Sequence, residues 1–450
     1  MEVKTAEEAG VSLHGALRYA AVAVVLVAVP LVPALLSPLY ARLLRTLLLV
    51  LLLGLVGRTL LGAVLSFKRH DPPDGLPEDP PSVSVVIPAY NEEPVLADTI
   101  EAALAVDYPG ELEVVVCYEA ASTDRTADVA ERYDDTHDAV RAVERDEPGG
   151  GKARATNYAL SYATGDVIAS IDADHQFDPA AVRRAVRWFA ADEDVWCVKG
   201  RCYGRNPSDS VLALHATVER HIAELADLFG RQAVGGFTIF GGGQAFFRAE
   251  LFDELGLFDD SVLVEDVDMS ARIHAAGKDL RVDPGVVTYE ENPATLSSWW
   301  SQRSRWARGW MQVAVRYLPS LPRDRTLGTV ARADAAYTFL YALVPVVLVL
   351  AAPLFVLDRT LLAGGTLLPA GLEWPLWTLV GVAPLVASTL VFLRDYRYGH
   401  GHHPLELLAA VTLWGYLFGQ SVVYVVAFLK EFVFDADSVY VTTGRSSPGD

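Results

Sequence analysis

The sequence predicts an α/β domain built on a mostly parallel, doubly wound sheet, with transmembrane helices on both sides of it. Three observations carry that expectation. Apolar runs of bilayer length crowd both ends of the 450 residues, strand-like and helix-like segments alternate through the middle, and polar residues collect where the middle strands end.

Crossing a bilayer core takes about 20 apolar residues. The first candidate is Tyr19 to Leu36 and the second Leu43 to Leu65; Ala335 to Leu357, Pro375 to Leu393 and Pro404 to Leu429 follow downstream. The rival for the first run is a signal peptide, but an acidic N-terminal tail and a second span soon afterwards argue against cleavage. The expected plan is a tail with two membrane helices over 1–66 and a Pro-rich linker over 67–81. A catalytic domain over 82–293 and interfacial helices over 294–332 come next, then about three membrane helices over 333–430 and a polar tail over 431–450. Basic residues mark the cytoplasmic side of a span. "FKRH" (Phe67 to His70) and "RDYRYGHGHH" (Arg394 to His403) place the central domain there, at a plasma membrane, whereas Arg42 and Arg45 count against it. Three C-terminal spans would also leave the tail outside, unless one segment lies on the membrane or is re-entrant.

The net charge of −20 argues against nucleic-acid binding by electrostatics. It matches the acidity of halophilic proteins, which stay soluble in concentrated salt. Three cysteines, Cys117, Cys197 and Cys202, suit reduced thiols and not a zinc site. His400, His402 and His403 read as a solvated loop facing lipid headgroups ahead of a metal site.

Inside the central domain, "SVSVVIPAYNEE" reads as a buried strand and loop, "EPVLADTIEAALAVDYP" as a helix, and "LEVVVCYEA" as a second strand. "STDRTADVAERY" and "ARATNYALSYA" are helical, and "DVIASIDAD" is a third strand. Ligands of such sheets bind beyond the carboxyl ends of the strands. Tyr90, Asn91 and Glu92, then Glu119, then Asp172 and Asp174 all fall there. Two carboxylates on one rim suit a hard divalent cation, Mg2+ or Mn2+, whose shell substrate phosphates complete.

The second half adds "FTIFGGGQAFFR", a glycine run that lets backbone approach a ligand or simply turns. Glu265 and Asp266 of "LVEDVDMS" begin a helix, where acidic residues also serve as a first turn. "SSWWSQRSRWARGWMQVAVRYL" mixes Trp299, Trp300, Trp306 and Trp310 with Arg303, Arg305 and Arg308. That mixture fits an amphipathic helix at a membrane surface, and Arg beside Trp also suits a diphosphate.

"PAYNEE", Lys152, "DAD", "FGGGQAFFR", "VEDVDMS" and "QRSRW", in this order over Ser82 to Met311, resemble membrane-bound family 2 glycosyltransferases. That group includes cellulose, chitin, hyaluronan and poly-N-acetylglucosamine synthases. The resemblance implies a GT-A fold and a hexosyltransferase acting on a nucleotide-sugar donor. It implies Tyr90, Glu92, Glu119 and Lys152 on the donor, and Asp172 and Asp174 at its diphosphate and metal. Asp266 matches the general base. Gln302, Arg305 and Trp306 match the motif at the diphosphate, with Gly242, Gly243, Gln244 and Glu265 on the acceptor side. The chain departs from the family's Asp-Asp-Gly-Ser after the second strand, where Glu119 takes the first acidic place and Ala120 the second.

The implied activity is inverting transfer, from a UDP-sugar first, onto a growing polysaccharide that the membrane helices pass across. Single transfer to a lipid acceptor, a polyprenyl phosphate or a glycolipid, fits the same pattern. A non-catalytic membrane partner is the third reading, and the intact acidic and Arg-Trp motifs count against it.

Overall fold

A computed structural model describes residues 2–4, 13–68, 71–147, 149, 151–357, 365–436 and 439–441. Arg69, His70 and most of the polar tail (437–438 and 442–450) lie outside them. In chain order the first elements are β1 (Glu2–Lys4), α1 (Leu13–Leu36), α2 (Pro38–Leu65), β2 (Val83–Ala89), α3 (Glu93–Leu104), β3 (Leu112–Glu119) and α4 (Thr126–Thr136). Then come β4 (Val140–Arg145), α5 (Gly151–Leu160), β5 (Val167–Ile171), β6 (Gln176–Phe177), α6 (Ala181–Ala191), β7 (Val195–Gly204) and α7 (Val211–Ile222). A π-helical stretch, Ala223–Phe229, joins α7 to the one-turn α8 (Gly230–Gln232), and β8 (Gln244–Arg248), α9 (Glu250–Leu255), α10 (Glu265–Ala275) and β9 (Asp279–Glu290) follow. The chain continues through α11 (Leu296–Tyr317), α12 (Thr329–Tyr341), α13 (Val344–Leu357), α14 (Ala370–Arg397), α15 (Pro404–Phe428) and β10 (Val439–Val441).

The central sheet has the order β4-β3-β2-β5-β8-β7-β9-β6. Its first four strands are parallel, β8 runs antiparallel between β5 and β7, and β7 and β9 are again parallel. The sheet is therefore mixed, with its parallel half as the sequence predicts. Successive side chains of a strand point to opposite faces. Val85 and Ile87 pack with Val114 and Val116 in one core, while Val86 joins Val115 and Cys117 in the other. Helices cover both faces, so strands β2 and β3 read as near-continuous apolar runs.

Among the described residues, three helices are long and apolar enough to cross a membrane: Pro38–Leu65, Gly371–Arg397 and Pro404–Val433. Helices α12 and α13 form a fourth candidate, bent by 44°. Arg42, which the charge pattern set against a cytoplasmic catalytic domain, spends its donors on Thr366 O at 3.1 and 3.0 Å, and Arg45 reaches Gly365 O. The candidate membrane helices lock to the domain through a buried cluster. Arg201 of β7 pairs with Asp395 of α14, His402 bonds Asp395 and Glu406 at 3.0 and 2.9 Å, and His221 of α7 lies 3.3 Å from Glu406. The expected solvated loop is thus a buried clamp at His402, because the Asp395 and Glu406 carboxylates draw its ring inward.

Candidate active site

The carboxyl ends of β2, β3, β4 and β5 open on a cavity of about 730 Å3 between the sheet, α7, α10 and α11. After β2 the chain turns sharply at Asn91, whose φ of 54° is uncommon outside glycine. Its Oδ1 accepts from Thr123 N at 2.7 Å, and Glu92 N donates to Thr126 Oγ1 at 2.8 Å. That turn leaves Tyr90 and Glu92 on the cavity wall. Glu119, at the end of β3, is held by Arg145 Nε at 2.8 Å. Burial pushes its carboxyl above the ordinary value, against the pull of Arg145.

Asp172 and Asp174 follow β5, and Asp172 N donates to Gly243 O at 2.9 Å. One oxygen of each carboxylate and a ring nitrogen of His175 lie within 4.8 Å of one another. Lys152, in the first turn of α5, ion-pairs with Asp172 and lies 3.8 Å from Glu265. The glycine run lies directly beside this group. Gly241, Gly242 and Gly243 have φ of 62°, 70° and 76°, a conformation other residues adopt only at a cost. A Cβ on Gly243 would fall 2.7 Å from His175 Nε2, so the sequence there meets both a conformational and a steric demand.

Glu265 and Asp266 open α10. Removal from water, and then the neighbouring Glu265 carboxylate, push Asp266 up to about 6, while Lys152 and Arg305 pull it down. Helix α11 starts at the N-cap Thr295, whose Oγ1 accepts from Ser298 N at 3.2 Å. Gln302, Arg305 and Trp306 face the cavity from one side of this helix, at positions i, i+3 and i+4. The arginines divide their work. Arg303 bonds Glu219, Arg308 bonds Glu431, and Trp299 is buried against Tyr416.

The structure thus gathers Tyr90, Glu92, Glu119 and Lys152 with Asp172 and Asp174, and with Gly242, Gly243, Glu265 and Asp266, around the space that Gln302, Arg305 and Trp306 face. Gln244 stands apart: it is buried in the sheet, where its side chain meets the backbone of Gly200 and Arg201. Several lining residues escaped the sequence reading. Arg145 ends β4, a strand the motif pattern did not mark, although the strand-end rule would have found it. His175 directly follows the acidic pair, and its ring lies 3.0 Å from Asp174 and 3.1 Å from Glu290. Glu219, Arg220, Gln420 and Tyr424 come from helices that look merely structural in sequence.

This arrangement puts paired oxygen donors, cationic side chains and a carboxylate of raised pKa on one cavity, the equipment for moving a group off a phosphate-bearing donor. The comparisons agree. The model described as glycosyltransferase like family 2 matches residues 80–309. The chain is 31% identical over 240 residues to a probable glycosyltransferase, YdaM, of Bacillus subtilis, covering 53% of this chain and 57% of that one. It is 26% identical over 239 residues to a poly-beta-1,6-N-acetyl-D-glucosamine synthase of Staphylococcus epidermidis, covering 52% and 56%. It therefore spans a little over half the length of these curated relatives. Among solved structures, the mannosyltransferase PcManGT of Pyrobaculum calidifontis, in complex with GDP-Man and Mn2+, superposes with a TM-score of 0.60 at 26% identity, covering 87% of this chain and all of that one. With residues 80–309 matched to that family model, the chain belongs to glycosyltransferase family 2 and has the GT-A fold.

Proposed function

We propose that the protein is a membrane-embedded, inverting transferase that moves a sugar from a nucleotide-sugar donor onto a saccharide acceptor and so extends a polysaccharide. The observation that carries this reading is the meeting of both halves of the chemistry in one cavity, which Asp172, Asp174, Lys152, Asp266, Gln302, Arg305 and Trp306 all line. The polymer synthase among the relatives supports a saccharide acceptor.

In this mechanism the donor diphosphate lies between Lys152 and Arg305, and its nucleoside lies toward Tyr90, Glu92 and Glu119. Asp266 accepts the proton of the acceptor hydroxyl as the oxygen attacks the anomeric carbon. The bond to the diphosphate breaks on the opposite side, which inverts the centre, and Arg305 and Lys152 meet the charge that develops there. Trp306 and the glycine run border the acceptor. The oxygen donors of Asp172 and Asp174 fit Mg2+ or Mn2+, and a divalent ion held there would supply further positive charge to the leaving diphosphate. The catalytic domain is cytoplasmic in this reading, where nucleotide sugars are made, at the cell membrane.

The test is to reconstitute the protein in lipid vesicles and supply radiolabelled UDP- and GDP-sugars one at a time. The second nucleotide is included because PcManGT is bound to GDP-Man. A labelled product of high mass supports polymer extension. A product that partitions with lipid would replace it with single transfer to a lipid acceptor, and no product with any donor would overturn the activity.

A further inference from the structure

We infer that α15, although long and apolar enough to cross a bilayer, does not cross it. It lies along the membrane surface, apolar stripe in lipid and polar face on the active-site cavity. At about 1.5 Å per residue its 25 residues reach about 37 Å, so length leaves both placements open.

The two ends of α15 decide between them. At its start, Glu406 lies 3.3 Å from His221 of α7, beside the buried Arg201–Asp395 pair that ties α14 to β7. Just past its end, Glu431 accepts from Arg308 Nε at 2.9 Å and Gln312 Nε2 at 3.0 Å, and Arg308 also donates to Ala436 O. Arg308 and Gln312 belong to α11, whose Tyr317 bonds Asp268 of α10 in the catalytic domain. Both ends of α15 are therefore fastened to the same domain, on the same side of any bilayer.

Its two faces agree. Leu408, Val411, Phe418 and Val422 are 64%, 64%, 53% and 37% exposed, and with Gly415 they form one continuous helical stripe. On another face Thr412, Tyr416 and Gln420 follow at one-turn spacing. They bond His215 at 2.9 Å and the two oxygens of Glu219 at 2.9 Å each, and Gln420 and Tyr424 line the cavity.

The remaining segments then cross an even number of times. Helix α2, the bent α12–α13 pair and α14, together with α1, whose apolar stretch Val24–Leu36 is shorter, then make four passages, and Glu2–Lys4 pairs in parallel with Val439–Val441. The acceptor end of the cavity, in consequence, opens at headgroup level, one helix away from lipid.

The inference rests on the membrane embedding proposed above, and the experiment separates the two. Cys117, Cys197 and Cys202 are buried, so single cysteines are introduced by Gly401→Cys before α15, Asp435→Cys after it, Glu111→Cys on the catalytic domain and Leu367→Cys on the opposite side. An impermeant maleimide is applied to sealed vesicles of each orientation. The expected result is that Gly401→Cys, Asp435→Cys and Glu111→Cys label from one face and Leu367→Cys from the other. Labelling of Asp435→Cys together with Leu367→Cys would overturn the inference. Spin labels at positions 408, 411, 418 and 422 give a second readout. Equal, shallow depths support the in-plane helix, and a profile deepest at its middle contradicts it. Release of the wild-type protein from membranes by alkaline carbonate would instead remove the embedding itself.

Discussion

A Cβ on Gly242 would stand 3.0 Å from Oδ2 of Asp266. The glycine run and the carboxylate of raised pKa, 24 positions apart in sequence, thus share one wall. Gly242 also has a φ of 70°, so Gly242→Ala pays twice: about 1–2 kcal/mol for the left-handed backbone, and a displaced Asp266. The variant is expected to melt a few degrees lower and to lose transfer by about 100-fold, since small misplacements of reacting groups are costly. Comparing kcat with the melting temperature checks this, and a large stability loss with unchanged kcat would contradict it.

The raised pKa of Asp266 has opposite consequences for activity and stability. A carboxyl pushed up to about 6 in the folded chain contributes stability below its unfolded value, near 4, and that contribution is lost as pH rises through about 6. Asp266→Asn should therefore melt higher than the wild type at pH 7.5 and match it near pH 4. Activity runs the other way: kcat/KM should fall tenfold per unit as pH drops below about 6 and the base becomes protonated.

Glu119 occupies the first acidic place after β3, and Arg145 holds it. Arg145→Ala removes the partner of a nearly buried carboxylate, for which about 3 kcal/mol of lost stability is expected by chemical denaturation. Glu119→Gln keeps the shape and removes the charge. Its expected signature is a donor KM raised about tenfold with kcat little changed, which places Glu119 on the nucleoside and away from the reacting centre.

The Arg201–Asp395 pair is 1% and 0% exposed at its side chains. Asp395→Ala strands a buried guanidinium and should cost about 3–5 kcal/mol, read as a lower melting temperature in detergent. Adding Arg201→Met should restore most of the loss, because a buried pair can be exchanged for apolar side chains more cheaply than it can be broken.

The parts of the site legible in sequence are those written over a few consecutive residues. Asp172 and Asp174 are marked by the strand before them, and Asp266 by the helix it opens. Gln302, Arg305 and Trp306 share one face by helical spacing alone. The parts that were not legible depend on register between distant elements. Arg145, Glu290 and Arg220 face the cavity only because β4, β9 and α7 are placed there by sheet order. Gln244 belongs to a motif that borders the cavity, yet strand alternation turns its side chain into the sheet. The mixed sheet escaped because β8 is a five-residue apolar strand whose direction no periodicity reveals.

The central claim is that Asp266 takes the acceptor proton in a site that binds the donor without it. The most direct measurement compares donor binding and sugar transfer in Asp266→Asn, reconstituted in vesicles with Mn2+ and the active nucleotide sugar. The account predicts a donor Kd within about threefold of wild type and transfer reduced by at least about 1000-fold. Transfer at a rate near that of the wild type would contradict it.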